Sequence, residues 1–283
     1  MNCKNKPLSV ITKFKRILVI GDLHADYPMT INLLKKFNVI DNNRRWIAKD
    51  TFIVQMGDQV DGKGRGNNDV EGEQEVLDLF DDLNTQAEIY GGAVFSLIGN
   101  HELMNVLGDF RYASMADINK DGGETQRKQK YSPGGILASR LACSRNAIIK
   151  IDDIIFVHGG IAKEFMADIR DNKTIEFINT TLTDFLFNKI DSDNEHVQKY
   201  FIKKNGLFWD RSLGNENVDC EDISYLKYGH IIVGHTPQKK INSKCNNKIW
   251  RTDVGLSKAL GGNDQQILEI TSTTRGPQFK VLV

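Results

Sequence analysis

The chain has 283 residues, and its 37 lysines and arginines balance its 37 aspartates and glutamates. That balance excludes recognition of nucleic acid or an anionic membrane through overall charge, so any anion selectivity has to be local. No apolar stretch approaches the ~20 residues that span a bilayer, and Cys3, Cys143, Cys220 and Cys245 form no Cys-x-x-Cys pair that would mark a zinc knuckle or redox site. A soluble protein of the cytoplasm or another reducing compartment is expected, without a secretory signal or transmembrane segment.

Residues 1–15 hold four lysines and no acid and read as a basic tail ahead of one domain over 16–283. Arg16 to Gly21 reads as a strand, Met29 to Phe37 as a helix and Thr51 to Met56 as a second strand. Glu73 to Tyr90 places Val76, Leu77, Phe80, Leu83 and Ala87 at helical spacing, and Ala93 to Ile98 returns to strand. This β-α-β-α-β order, built on continuous apolar runs, predicts an α/β fold with a parallel sheet buried on both faces. Its ligand site should lie beyond the carboxyl ends of the strands.

The stretch 106–131 is an insertion with little regular pattern, expected to be a functional lid or a mobile segment. Within it Asp117, Asn119, Asp121 and Gly122 match the start of a calcium loop, but Lys128 stands where the bidentate Glu belongs, which argues against calcium. Asn146 to Ile151 and Ile154 to His158 read as a hairpin turning at Asp152 and Asp153, followed by a mostly helical stretch to about Lys204. Ile231 to Gly234, Lys248 to Arg251, Gln266 to Ile270 and Phe279 to Val283 are then expected as strands, making a second sheet.

Five apolar runs end in polar strings: GDLHAD from Gly21, GDQVD from Gly57, GNHE from Gly99, HGG from His158 and GHTP from Gly234. Their convergence at the strand ends supplies the donors of a two-metal hydrolase. Hydrolysis of a phosphate ester needs an activated water and charge stabilisation at both the attacking and leaving oxygens, which two divalent cations bridged by a carboxylate provide. Asp22 and His24, two apart on an extended segment, are expected to point the same way and hold one ion. Asp58 is the natural bridge, and Asn100, His158 and His235 complete the second ion. Mixed nitrogen and oxygen donors suit Mn, Fe or Zn better than Ca. His101, held beside the ligand Asn100, is the candidate general acid, with Asp61 orienting its imidazole.

These motifs, with GNHELMNVLGDFRY from Gly99, SPGG from Ser132, LFWDR from Leu207 and DVGLSKALGG from Asp253, resemble calcineurin-like metallophosphoesterases of the PPP serine/threonine phosphatase superfamily. Within that superfamily the chain is most similar to the Shewanella-like, bacterial-type phosphatases. The resemblance implies a four-layer α/β/β/α sandwich of two mixed sheets, two metals (Mn above all, Fe or Zn otherwise) and hydrolysis of phosphoprotein monoesters. It implies the same ligand set. Two departures stand out. Ala25 replaces the glycine of GDxHG, at little cost unless that position needs positive φ. Gly62 replaces the phosphate-contacting arginine of GDxxDRG.

An anion clamp is still required, because a guanidinium matches two phosphoryl oxygens with paired donors. Arg211 corresponds to the family's second phosphate-binding arginine; Arg65 in the GKGRG loop and Arg111 in the insertion are the other candidates. The leading expectation is a metal-dependent phosphoprotein phosphatase with a phosphorylated protein or peptide partner and no nucleic-acid partner. Two alternatives are a dinucleoside polyphosphate or nucleotide hydrolase of the same superfamily, and an inactive binding scaffold, to which the missing arginine points.

Overall fold

The structure, a computed structural model, describes the chain apart from residues 1, 2, 4, 5, 67, 167, 168, 170, 224–228 and 263 and the side chain of residue 222. Its strands are β1 (Val10–Ile11), β2 (Arg16–Ile20), β3 (Phe52–Gln55), β4 (Ala93–Leu97), β5 (Arg145–Asn146), β6 (Ile148–Ile151), β7 (Ile154–Val157), β8 (His230–Val233), β9 (Asn242–Lys244), β10 (Ile249–Arg251), β11 (Ile267–Thr273) and β12 (Gly276–Leu282). They form two six-stranded sheets, ordered β12-β11-β2-β3-β4-β5 and β1-β6-β7-β8-β10-β9. The first is parallel from β2 to β5 and antiparallel at β11 and β12. The second is mixed, with β7, β8 and β10 parallel at its centre.

Helices α1 (Tyr27–Lys36) and α2 (Glu73–Glu88) follow β2 and β3. Asp26 caps α1 by accepting from the Met29 N–H at 3.1 Å, and Pro28 in the first turn loses no helical hydrogen bond there. Later come α3 (Asn100–Val106), α4 (Met115–Lys120), α5 (Glu124–Tyr131), α6 (Ile136–Ser144), α7 (Lys163–Met166) and α8 (Asn172–Leu186). The period-two alternation of a strand sorts the second sheet's side chains into two cores. Ile149, Ile151, Ile154, Phe156, Ile232 and Trp250 pack with β2, β3, β4, α1 and α2. Ile148, Ile155, Val157, Ile231, Val233 and Ile249 pack instead with α6 and α8. The layers are therefore helix, sheet, sheet, helix, the sandwich that the motifs implied.

Three expectations need correction. Residues 6–15 are not a frayed tail, since β1 pairs in parallel with β6 and the Asn146 side-chain amide donates to the Pro7 and Leu8 carbonyls. A two-residue apolar pair is too short to show periodicity. The single strand expected over 146–151 is split: Arg145 and Asn146 pair with Ser96 and Leu97 in one sheet, while Ile148–Ile151 belongs to the other. Asn179 holds the crossing by accepting from the Ala147 N–H at 2.7 Å. The 106–131 insertion is no irregular lid, because it folds into α4 and α5 with Arg127 and Tyr131 fully buried. Its calcium-loop carboxylates are engaged within the protein: Asp117 accepts from the Gly72 N–H at 3.2 Å, and Asp121 pairs with Arg127 and Lys130, each at 2.9 Å.

The cysteines form two disulfides, Cys3–Cys143 and Cys220–Cys245. Cystines persist in oxidising surroundings, so the structure does not support the reducing compartment expected from their scatter. Sequence distance hid both pairs. Because Cys3 and Cys143 are 140 residues apart, Cys3→Ser is expected to lower unfolding free energy by roughly 2–4 kcal/mol. Denaturant unfolding with and without reductant checks this, and identical curves for wild type and variant would show that the bridge does not form. Among the described residues no helix is long and apolar enough to cross a membrane.

Candidate metal centre

The loops after β2, β3, β4, β7 and β8 meet in one buried polar cluster. The first turns sharply. Leu23 and His24 both donate their backbone N–H to the Asp58 carbonyl, at 3.0 and 2.9 Å, and His24 and Ala25 take φ of 42° and 57°. The extended segment expected for Asp22 and His24 is thus a turn, and Ala25 occupies the left-handed region at a cost of roughly 1 kcal/mol.

Asp58 is itself at φ 53° and is fixed by a residue the sequence reading overlooked. Glu102, buried in the first turn of α3, accepts from the N–H groups of Asp58 (3.0 Å), Gln59 (2.7 Å) and Gly99 (2.7 Å), tying the two loops together. Gly99 leaves room for the bridge, since a Cβ there would overlap Asp58 Oδ1. Gly99→Ala should therefore displace Asp58 and lower metal affinity by ~10–100-fold. Metal titration of the folded variant measures this, and wild-type affinity would mean that the Asp58 carboxylate moves freely.

His158 and His235 enter from the other sheet. A carbonyl can only accept, so the 2.7 Å contact between His158 Nδ1 and Met56 O makes Nδ1 the protonated nitrogen. Nε2 then faces Asp58 Oδ2 at 3.3 Å and Asn100 Oδ1 at 3.0 Å. His235 donates its backbone N–H to Asp22 Oδ2 at 3.1 Å. Two sets of donor atoms lie within 4.8 Å of one another: His24, Asp58 and His101, and Asp58, His158 and His235. Asp58 belongs to both, as a bridging carboxylate would.

The electrostatics draw positive charge inward. Burial, with Asp253 and Asp58 nearby, raises Asp22 well above the usual carboxylate range. Against burial, the His158 and His101 imidazoles hold Asp58 well below it. Burial lowers His158, yet Asp58 and Asp22 lift it to about 10. Burial and the neighbouring imidazoles push His24 down to about 3 and His235 to about 2, so both offer neutral lone pairs. Buried carboxylates of like sign beside the neutral imidazoles of His24 and His235 fit divalent cations, and the Met56 carbonyl, by holding His158 Nδ1, turns Nε2 toward Asp58.

His101 and Asp61 form the expected pair, with Nδ1 to Asp61 Oδ2 at 2.7 Å. Burial would lower the imidazole, but Asp58 and Asp61 hold its pKa above the ordinary range. Its Nε2 lies 3.9 Å from Asp58 Oδ2, facing the cluster.

A cleft of about 860 Å³ opens over these residues, lined among others by Arg65, Tyr112, Trp209, Arg211 and Asp253. Arg211 donates to the His235 carbonyl at 2.7 Å. The loop at Gly62 is closed: its carbonyl accepts from the Val70 N–H, and a Cβ would overlap the Val70 carbonyl oxygen. The next guanidinium takes the cleft instead. Arg65 packs over Tyr112 at 5.2 Å, and its charge reaches His24. Arg111 also lines the cleft but is 67% exposed and held by Asp109 at 2.7 Å. Asp253 follows β10, whose Ile249 and Trp250 give way to Arg251 and Thr252, so no apolar run announces it. Tyr112 carried no such signal.

A family model described as calcineurin-like phosphoesterase matches residues 15–239. The chain is 26% identical to Shewanella-like protein phosphatase 2 of Arabidopsis thaliana, over 91% of this chain and 75% of that protein. It is 30% identical to an uncharacterized protein of Schizosaccharomyces pombe, over 90% of this chain and 77% of the other. A solved structure of a cold-active protein tyrosine phosphatase superimposes with a TM-score of 0.78 at 25% identity, covering 99% of this chain and 82% of that one.

Proposed function

Because the chain belongs to the calcineurin-like phosphoesterase family and is a metal-dependent phosphatase, we propose that it hydrolyses phosphomonoesters on proteins at the cluster centred on Asp58. Asp22, His24 and Asp58 would hold one cation, and Asp58, Asn100, His158 and His235 the second, with manganese preferred and iron or zinc as the alternatives. Two such cations supply an activated water and neutralise phosphoryl charge.

The protein's own groups do the rest. Arg65 and Arg211 both line the cleft and bind the phosphoryl oxygens, Arg65 taking the place of the arginine absent at Gly62. Arg111, neutralised by Asp109, serves the rim rather than the phosphate. His101, oriented by Asp61, gives its Nε2 proton to the departing oxygen as the P–O bond breaks. No covalent phosphoenzyme is required.

One observation carries this reading: Asp58 belongs to both donor groups while the oriented His101 Nε2 faces it at 3.9 Å. Tyr112 and Trp209 beside the two arginines favour an aromatic phosphoester, in line with the tyrosine phosphatase among the structural relatives. The test is turnover of phosphoserine, phosphothreonine and phosphotyrosine peptides and a dinucleoside tetraphosphate, with manganese or with chelator. Manganese-dependent peptide turnover supports the proposal. Preference for the dinucleotide, or no turnover with metal bound, overturns it.

A further inference from the structure

The fully buried Arg127 is the least expected residue in the molecule. Its helix α5, ETQRKQKY, is polar along its length and buries only Arg127 and Tyr131, one turn apart. Burying a guanidinium costs several kcal/mol unless its donors are met, and here they are met by groups leading to the catalytic pair. Nη1 donates to Asp121 Oδ2 at 2.9 Å, and Nη2 lies 2.8 Å from Glu73 Oε2. Nε and Nη2 both reach Asn105 Oδ1, at 2.9 and 2.6 Å. The rings of Tyr131 and Phe110 cover the guanidinium at 4.8 and 5.5 Å.

The contact with Asn105 decides which way that amide faces. With its oxygen claimed by two Arg127 donors, Asn105 must turn its NH₂ the other way, where Nδ2 donates to Asp61 Oδ1 at 2.8 Å and to the His101 carbonyl at 2.9 Å. A flipped amide would set its oxygen against the Asp61 carboxylate. Asp61 is held from its backbone as well, its N–H donating to Glu73 Oε1 at 3.0 Å. With Oδ1 engaged by Asn105, Oδ2 is the oxygen left for His101 Nδ1, 2.7 Å away. The chain of contacts runs Arg127, Asn105, Asp61, His101.

We infer that Arg127 is a positioning residue for the His101–Asp61 pair, so that the 106–131 insertion completes the proton-donating half of the active site from inside the fold. The inference rests on the reading of His101 as proton donor. A lysine could not replace Arg127, because a single ammonium lacks the fork that reaches Asn105, Glu73 and Asp121 at once.

Leaving-group dependence tests the inference. The metal-loaded enzyme is assayed on aryl phosphates running from dinitrophenyl phosphate, whose phenolate departs unaided, to phenyl phosphate, whose oxygen needs a proton. Arg127→Met, Arg127→Lys and Asn105→Ala are compared with His101→Asn after metal content and circular dichroism are matched. Arg127→Met and Asn105→Ala should lower kcat for phenyl phosphate by ~10–100-fold, as lost orienting contacts do elsewhere, with little change for dinitrophenyl phosphate or in KM. Arg127→Lys should recover only part of the loss. If Arg127→Met does not fold, Asn105→Ala, which leaves the guanidinium its ion pairs with Glu73 and Asp121, decides by the same criterion.

Equal losses across the series, a change in KM alone, or wild-type rates throughout would overturn the positioning role. His101→Asn separates the two levels. If it shows the leaving-group-selective loss and the Arg127 and Asn105 variants do not, only the present inference falls; if it too loses activity uniformly, the proton-donor reading falls and this inference with it.

Discussion

Asp58→Ala is expected to abolish turnover, with kcat falling ~10³-fold or more because several kcal/mol of cation-derived charge stabilisation disappear. Both donor groups contain Asp58, so its loss weakens two sites at once rather than one. Its carbonyl also accepts from Leu23 and His24, but that contact is backbone and survives in the alanine variant. Elemental analysis should find the dinuclear centre depleted while the circular dichroism of the folded chain is retained. An active Asp58→Ala enzyme with two bound metals would dismantle the scheme.

His101→Ala should behave differently. The ring touches Asp61 and faces the cluster, but in the proposed ligand set its neighbour Asn100 would hold the metal instead, so metal content is expected to hold. Turnover of a phosphoester with a poor leaving group should fall by ~10²–10⁴-fold, the usual worth of a positioned general acid. Good leaving groups should be spared. His24 and His101 rings meet edge to face at 4.7 Å, so a metal-site loss in His101→Ala would show instead that His101 acts as a ligand, as its membership of the first donor group allows geometrically. Metal analysis beside the rate measurement distinguishes the two.

Much of the candidate site was legible because strand ends announce themselves. An apolar run breaking into Gly, Asn, Asp or His marks a buried strand delivering a polar side chain, as it does before Asp22, Asp58, Asn100, His158 and His235. Asp253, preceded by Arg251 and Thr252 rather than by an apolar run, did not meet that criterion. The supporting groups were not legible. Glu102 and Asn105 look like ordinary polar residues on a short helix, and their roles appear only once the β3 loop folds over α3 to present backbone N–H groups to one and Asp61 to the other. Arg127, in a string of polar residues, looks solvated. Nothing local distinguishes it from Lys128 or Lys130, and only the packing of α5 against α3 and α6, with Glu73 at the start of α2 in reach, turns it inward.

The sequence by itself determined the layered α/β fold and the chemistry of the centre, because hydrophobic periodicity and donor type are local properties that each segment carries with it. Tertiary structure alone decided that Arg65, packed over Tyr112, lines the cleft while Gly62 carries no side chain there, how four scattered cysteines pair, and that an apparently irregular insertion buries Arg127 against Asn105. Those outcomes depend on contacts between residues tens to more than a hundred positions apart. Burial there sets the cost of every unpaired charge and so selects the partners, which no window of sequence can register.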